Sequence, residues 1–265
     1  MSESLAQSLG IRSVAPAVIF AILYIPLIPI FLLKLRKRAS KLPVVLLTFC
    51  VIRVAVFIIR AILTSNSTMG NNVDLLHADD VLLSIGFFGL LLGAYTLVVD
   101  RLNIYDPAPP SPLSLIRNQH LYRLIALVAV ILGIVAITGP TDEATEKEKT
   151  LKIVSTIIFL ILTLLQTFQT IMLVRVERSG SVSESRSSSF GSKHVSIILL
   201  LLSFMLLVRV VFDTATMTDP EKADNEKFWY PLVALPEWIC ACLYAIPGVI
   251  LDLDEVKPNA AFAYV

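Results

Sequence analysis

Charged residues are scarce in this sequence, and cysteine and histidine are scarcer still. Only 16% of the 265 residues are charged, whereas soluble domains carry about 25%. Apolar residues make up 56% of the chain without counting glycine, and the mean hydropathy is +0.78. This composition excludes an ordinary soluble domain and indicates a membrane protein with several spans.

The few cysteines and histidines argue against metal and disulfide chemistry. All three cysteines lie in apolar runs, so we expect no disulfide framework. The three histidines, His77, His120 and His194, are scattered over predicted loops and do not form the cluster that a zinc hydrolase needs. No serine-hydrolase, H-E-x-x-H or phosphate-loop motif occurs. We therefore expect neither an enzyme nor a bound cofactor.

Charge of one sign is not in excess either. The formal net charge is +1, and no basic stretch is interleaved with aromatic residues. Nucleic-acid binding needs such a basic surface, because the phosphate backbone supplies much of the affinity. We therefore expect no nucleic-acid partner.

Seven apolar segments are long enough to cross a hydrocarbon core of about 30 Å as helices. The predicted fold class is all-α: one domain, 1–265, forming a polytopic seven-transmembrane helix bundle. Pro26 and Pro29 are expected to bend the first span, because proline removes a helical hydrogen bond. The predicted spans are 14–33, 42–63, 81–99, 121–137, 153–174, 195–217 and 228–251.

The positions of lysine and arginine predict the orientation of the bundle. These residues accumulate in cytoplasmic loops, and with the N-terminus outside, the inner side carries about twice as many as the outer side. This predicts an outer N-terminus, a flexible serine-rich inner loop at 179–192 and a short cytoplasmic tail at 252–265. The glycosylation sequon at Asn66 then lies outside, where glycans are added.

Ionisable side chains within the predicted spans give the strongest functional signal, because a charge in the bilayer is costly unless it is paired or reaches water. Glu237 and Arg53 lie near the middle of the seventh and second spans. Arg209 lies in the outer half of the sixth span, and Asp213 follows one turn later at ion-pair spacing. Arg60 shares a helix face with Arg53 but is near the outer rim, where it is expected to reach water.

These depths suggest one shared site. The second, sixth and seventh spans are predicted to meet around Arg53, Arg209 and Glu237 and to line a polar cavity open to the outside. Two positive charges against one negative favour an anionic headgroup, because a guanidinium binds phosphate or carboxylate through paired hydrogen bonds. A structural ion-pair network that fixes helix register is the alternative.

A receptor or sensor is a further function class that the sequence allows. Asp100 and Arg101 end the third span and are similar to the acidic-Arg turn of G-protein-coupled receptors, although Leu102 replaces the expected aromatic residue. In this interpretation, the serine-rich inner loop contacts a cytoplasmic partner and carries phosphorylation sites.

Other polar and small residues in the spans have two interpretations. Gly89 and Gly93 form a G-x-x-x-G pattern, which predicts close packing of helices within the chain. Gln166, Gln169 and Tyr95 are predicted either to extend the polar lining or to join helices by hydrogen bonds.

The C-terminal third carries a resemblance to a known group. VRVVFDTA at 208–215 and EKFWYPLVALPEWICACLYAIPGVIL at 226–251 resemble the fungal seven-transmembrane proteins of the RTA-like group, which are lipid-translocating exporters and resistance proteins. These segments are more similar to a sister set of uncharacterised fungal seven-span proteins whose last helix carries a tyrosine, then Leu-Pro-Glu, then an aromatic residue and glycine. FCVIRVAVFIIRA at 49–61 is similar to their arginine-bearing second helix.

The chain also departs from the RTA-like pattern. Asp213 stands where that group has a glutamate, and no histidine precedes Pro247 and Gly248. The resemblance implies a fungal seven-span membrane protein that handles lipids or amphiphilic toxins. We expect it in the plasma membrane or an endomembrane, with membrane lipids or small amphiphiles as partners.

Overall fold

The computed structural model describes residues 5–37, 41–65, 68–105, 116–139, 146–179 and 194–250. Within these ranges the chain is helical and contains no strand. The helices long and apolar enough to cross a membrane are Val14–Arg36, Lys41–Ser65, Val73–Ile104, Gln119–Ile137, Glu146–Arg178, Val195–Thr216 and Glu226–Ala245. The prediction of an all-α fold with seven membrane-length apolar helices is therefore confirmed, and these helices are the first to seventh spans below.

Three expectations concern residues outside the described ranges. They are the glycosylation sequon at Asn66, the serine-rich loop beyond its first residue, and the tail at 252–265.

Successive spans run antiparallel to each other. Arg60, near the end of the second span, contacts Asp79, near the start of the third. Likewise, Gly139, just after the end of the fourth span, lies against the Glu148 side chain near the start of the fifth. The first, third, fifth and seventh spans therefore begin at one end of the bundle, which we call the N-side end.

The third span is the central helix of the bundle. It packs against the second, fourth, fifth, sixth and seventh spans. In its most apolar window 56% of the residues are buried inside the protein, compared with 22% for the first span. The third span can therefore supply walls to sites that the other helices form, whereas the first span lies at the periphery.

The first span is broken near its middle and is held by aromatic packing. Regular helix ends at Tyr24 and resumes at Leu27, because Pro26 has no N–H to donate. The Phe20 ring stacks on both Phe57 and Tyr230, with centroids 5.4 Å apart in each pair. These contacts join the first span to the second and seventh.

The connection between the sixth and seventh spans is attached to the start of the chain. Glu226 Oε1 accepts hydrogen bonds of 2.8 Å from the backbone N–H groups of Arg12 and Ser13. Gly10 has a φ of +96°, and a Cβ there would lie 2.9 Å from the Asn225 Cα. The chain can approach the connection this closely only because glycine occupies this position. The connection is thus held over the N-side end of the bundle.

Candidate functional site

A cluster of ion pairs lies inside the bundle where the second, sixth and seventh spans meet. We call it the polar centre, and its members are Arg53, Arg209, Asp213 and Glu237. Glu237 Oε1 lies 2.6 Å from Arg53 Nη2 and 2.6 Å from Arg209 Nε. The first contact is a hydrogen bond, whereas the Arg209 N–H is not aligned with the oxygen. One carboxylate oxygen thus bridges guanidinium groups from two spans.

Because most side chains of the polar centre are buried, each charge needs its partner to offset the cost of removing it from water. Arg53, Glu237 and Arg209 are 0%, 2% and 5% exposed. Attraction between buried charges offsets only part of the cost of removing them from water, and loss of one partner costs about 3–5 kcal/mol. Asp213 supplies a second carboxylate, 3.4 Å from Arg209 Nη1. Within the polar centre, two positive charges therefore balance two negative ones.

The seventh span reaches Glu237 through one π-helical turn. Tyr230–Ala234 form this turn, and the N–H group after it donates to the Tyr230 carbonyl five residues earlier. The extra residue rotates the following side chains by about 100° relative to a continuous α-helix. The sequence signal for the turn is the pair Pro231 and Pro236, each of which lacks an N–H. The π turn therefore sets the direction of Glu237.

The third span holds both guanidinium groups, which the sequence did not indicate. Arg53 Nη2 also donates to the Leu83 carbonyl at 3.2 Å. A Cβ added to Gly86 would lie 3.0 Å from the Arg53 Cζ, so the missing side chain makes room for the guanidinium. The Arg209 guanidinium lies 3.9 Å from the centroid of the Phe87 ring. One face of the third span thus positions both arginines through the Leu83 carbonyl, the space above Gly86 and the Phe87 ring.

A second ion-pair network lies nearer the N-side end. Arg60 Nε donates to Asp79 Oδ2 at 2.8 Å, and its Nη2 lies 3.4 Å from Asp224 Oδ1. The guanidinium also stacks on Trp229, 3.6 Å from the ring centroid. Arg60 is only 1% exposed, so it does not extend to water as we expected. It is buried because the third span begins at Val73, instead of residue 81, and brings Asp79 beside it.

A cavity of about 160 Å³ lies at the N-side end, between the third, fourth, fifth, sixth and seventh spans. Arg209 and Asp213 belong to both the polar centre and the cavity wall. The other charged lining residues are Asp80, Lys152 and Asp224, and the aromatic lining residues are Phe87, Phe159 and Trp229. This cavity differs from the predicted one. Its described lining comes mainly from the third to seventh spans, and of Arg53, Arg209 and Glu237 only Arg209 lines it.

The charges around this cavity differ from those used in the sequence argument. Asp213 balances the arginine pair, and the cavity wall carries three carboxylates against two cations. The described residues of the polar centre and the cavity wall therefore carry no net positive charge. Such a charge was the reason to expect an anionic headgroup.

The residues of the receptor hypothesis lie at the opposite end and form contacts within the chain. Asp100 Oδ1 accepts from Gln119 Nε2 at 2.7 Å, and Arg101 Nη2 donates to the Val249 carbonyl at 3.1 Å. Asp100 thus joins the third span to the start of the fourth, and Arg101 joins the third span to the segment that follows the seventh. Neither belongs to the polar centre or the cavity wall.

The remaining polar side chains join helices away from the cavity. Gln166 Nε2 donates to Ser203 Oγ at 2.9 Å, which links the fifth and sixth spans. Tyr95 Oη and Gln169 Nε2 both donate to the Ile116 carbonyl at 2.8 Å. Their hydrogen bonds agree with the helix-joining interpretation.

Seven membrane-length apolar helices with charges buried between them define an integral, multi-pass membrane protein. The family described as Domain of unknown function (DUF7702) matches residues 13–244, and the chain belongs to this family. All four residues of the polar centre lie within the matched range. No curated protein and no solved structure matches the chain.

Proposed function

We propose that this protein binds a lipid or another amphiphile at the N-side cavity and moves its headgroup across the bilayer. The polar centre then holds the second, sixth and seventh spans together and releases them during transport. No covalent chemistry is part of this proposal.

The observation that carries the proposal is the double role of Arg209. Its guanidinium contacts Glu237 in the polar centre and also lines the cavity. An acceptor oxygen of the headgroup, such as a phosphate oxygen, competes with Glu237 and Asp213 for this guanidinium. Occupancy of the cavity therefore weakens the contact between the sixth and seventh spans.

Unsatisfied donors at the polar centre support a change of partners. Arg53 Nε and Nη1 are buried and have no hydrogen-bond partner among the described residues. A buried donor without an acceptor costs about 1–3 kcal/mol. A purely structural network gains nothing from such donors, whereas a site that exchanges partners can use them.

The size of the cavity limits what it holds. A void of about 150 Å³ accepts a benzene-sized group, and this cavity has about 160 Å³. It therefore accommodates a headgroup but not an acyl chain. We propose that the acyl chains stay in the bilayer or between the helices.

The RTA-like resemblance also supports lipid handling. The distribution of lysine and arginine supports the proposed orientation of the bundle. With the N-terminus outside, the cavity faces the outer or luminal side. The protein then resides in the plasma membrane or an endomembrane.

The proposed function can be tested in proteoliposomes that contain headgroup-labelled lipid. We expect movement of the labelled lipid between leaflets with the unchanged protein and its loss with Arg209→Gln. Lys222→Gln is the matched control, because Lys222 is an exposed cation that lies outside the polar centre and the cavity wall and 2.8 Å from Asp219. Movement that stays unchanged in correctly folded Arg209→Gln contradicts the proposal.

A further inference from the structure

One carboxylate in the cavity wall, Asp80, lacks a direct ion-pair partner among the described residues, although Lys152 on the same wall acts on it electrostatically. Asp213 lies 3.4 Å from Arg209, and Asp224 lies 3.4 Å from Arg60. Asp80 forms no side-chain hydrogen bond or ion pair within the described part of the chain. A partly buried carboxylate that faces a cavity binds most favourably to a positively charged hydrogen-bond donor.

The charge balance around Asp80 indicates the same kind of ligand. The cavity wall carries one more carboxylate than cations. The ion-pair partners that do not line the cavity are two arginines and two carboxylates, namely Arg53, Arg60, Asp79 and Glu237. They add no net charge, so the excess of one negative charge remains. A cationic group in the cavity compensates this negative charge.

The aromatic lining residues of the cavity suit an organic cation that carries an apolar chain. Phe159 lines the cavity and meets Phe87 edge-on, with ring centroids 5.5 Å apart. Aromatic faces attract organic cations and exclude water from them. Arg209, which is 5% exposed and whose Nε–H has no aligned acceptor, lines the same cavity. The apolar walls thus fit the ammonium and its carbon chain, whereas the Arg209 guanidinium, a cationic donor, can bind only an acceptor such as a phosphate oxygen beside that ammonium.

We propose that the cavity recognises an ammonium group on its amphiphile, with Asp80 as the main partner of that group. This inference rests on the proposed function and specifies its ligand class. An ammonium can belong to a zwitterionic phospholipid or to a simple long-chain amine. In the zwitterionic case, the exposed Lys152 on the cavity wall is placed to bind the phosphate.

Binding of short-chain lipids to the purified full-length protein in detergent tests this inference. The probes share one acyl chain length and carry phosphoethanolamine, phosphoglycerol or phosphate headgroups, together with an alkylamine. We expect the two ammonium probes to bind about tenfold tighter than the two anionic ones, as one charge-assisted contact provides. Anionic probes that bind equally well or better overturn the inference while leaving amphiphile binding intact. Failure of all four probes to bind overturns the proposed function as well.

Variants then locate the ammonium partner. Asp80→Asn should abolish the preference for ammonium probes, while Asp74→Asn, an exposed carboxylate at the start of the same span, should not. Lys152→Gln should weaken phosphoethanolamine binding but not alkylamine binding, which separates the two sources of the ammonium. An ammonium preference that persists in folded Asp80→Asn contradicts the assignment to Asp80.

Discussion

Glu237 Oε1 lies 2.6 Å from Arg53 Nη2, although the two residues belong to the seventh and second spans. Both side chains are almost fully buried, and Arg209 from the sixth span contacts the same oxygen. The bundle therefore closes around one carboxylate.

Removal of the Glu237 charge should destabilise the protein strongly. Glu237→Gln leaves two buried guanidinium groups without their shared counter-ion, so we expect a loss of about 3–5 kcal/mol. The measurement is the thermal unfolding midpoint in detergent. Glu146→Gln, an exposed carboxylate at the start of the fifth span, is the control and should change the midpoint little. Equal midpoints for the two variants would show that the polar centre does not stabilise the bundle.

Gly86 should be needed to accommodate the Arg53 guanidinium. A Cβ at Gly86 meets the Arg53 guanidinium at 3.0 Å, whereas a Cβ at Gly89 meets only a Val45 methyl group at 3.2 Å. Gly86→Ala should therefore displace the guanidinium and reduce both stability and lipid binding. Gly89→Ala should have the smaller effect on binding, because Val45 lies outside the polar centre. The contrary result, with binding reduced only by Gly89→Ala, would assign these glycines to helix packing alone.

The second network should show strong coupling between Arg60 and Asp79. The two side chains are 1% and 2% exposed and form a 2.8 Å ion pair. A double-mutant cycle with Arg60→Gln and Asp79→Asn should give a coupling free energy above about 1 kcal/mol, since contacting residues in one network are not additive. Additive effects on the unfolding free energy would mean that the pair contributes nothing beyond its separate members.

The orientation can be tested with single cysteines at the two ends of the bundle. Met69 is exposed at the N-side end, and Arg36 is exposed at the opposite end. In sealed cells or vesicles, an impermeant maleimide applied from the outer or luminal side should label Met69→Cys but not Arg36→Cys. Cys50 and Cys240 are buried, and replacement of Cys242 by alanine removes the partly exposed native thiol. The reversed labelling pattern would place the cavity on the cytoplasmic side.

Much of the fold could be predicted because the length and hydropathy of a continuous segment are enough to identify a membrane span. Apolar runs of membrane length located all seven helices. Comparable depths of Arg53, Arg209 and Glu237 along their spans also suggested that they meet, since depth follows directly from helical rise. Whether a ligand binds there is a question that depth alone cannot answer, and the binding role stays a prediction.

The parts that were missed depend on contacts between distant segments. The predicted third span began at residue 81, because Asp79 and Asp80 lower the local hydropathy. Their inclusion in the helix depends on partners such as Arg60, which no local pattern reveals. The role of Gly86 likewise depends on a guanidinium from another span. The sequence-based charge balance counts Arg53 and Arg209 against Glu237 alone. It leaves out Asp213, although that residue is named beside Arg209, and it does not include Asp80 and Asp224.

A structure determined with a bound short-chain phosphoethanolamine lipid would show directly whether the N-side cavity holds a lipid headgroup. We expect headgroup density in the N-side cavity, with the ammonium at hydrogen-bonding distance, about 3 Å, from the Asp80 carboxylate. We also expect a longer contact between Arg209 and Glu237 than the present 2.6 Å. Lipid density found only on the outer surface of the helices, with the cavity filled by water and the polar centre unchanged, would contradict the proposed function.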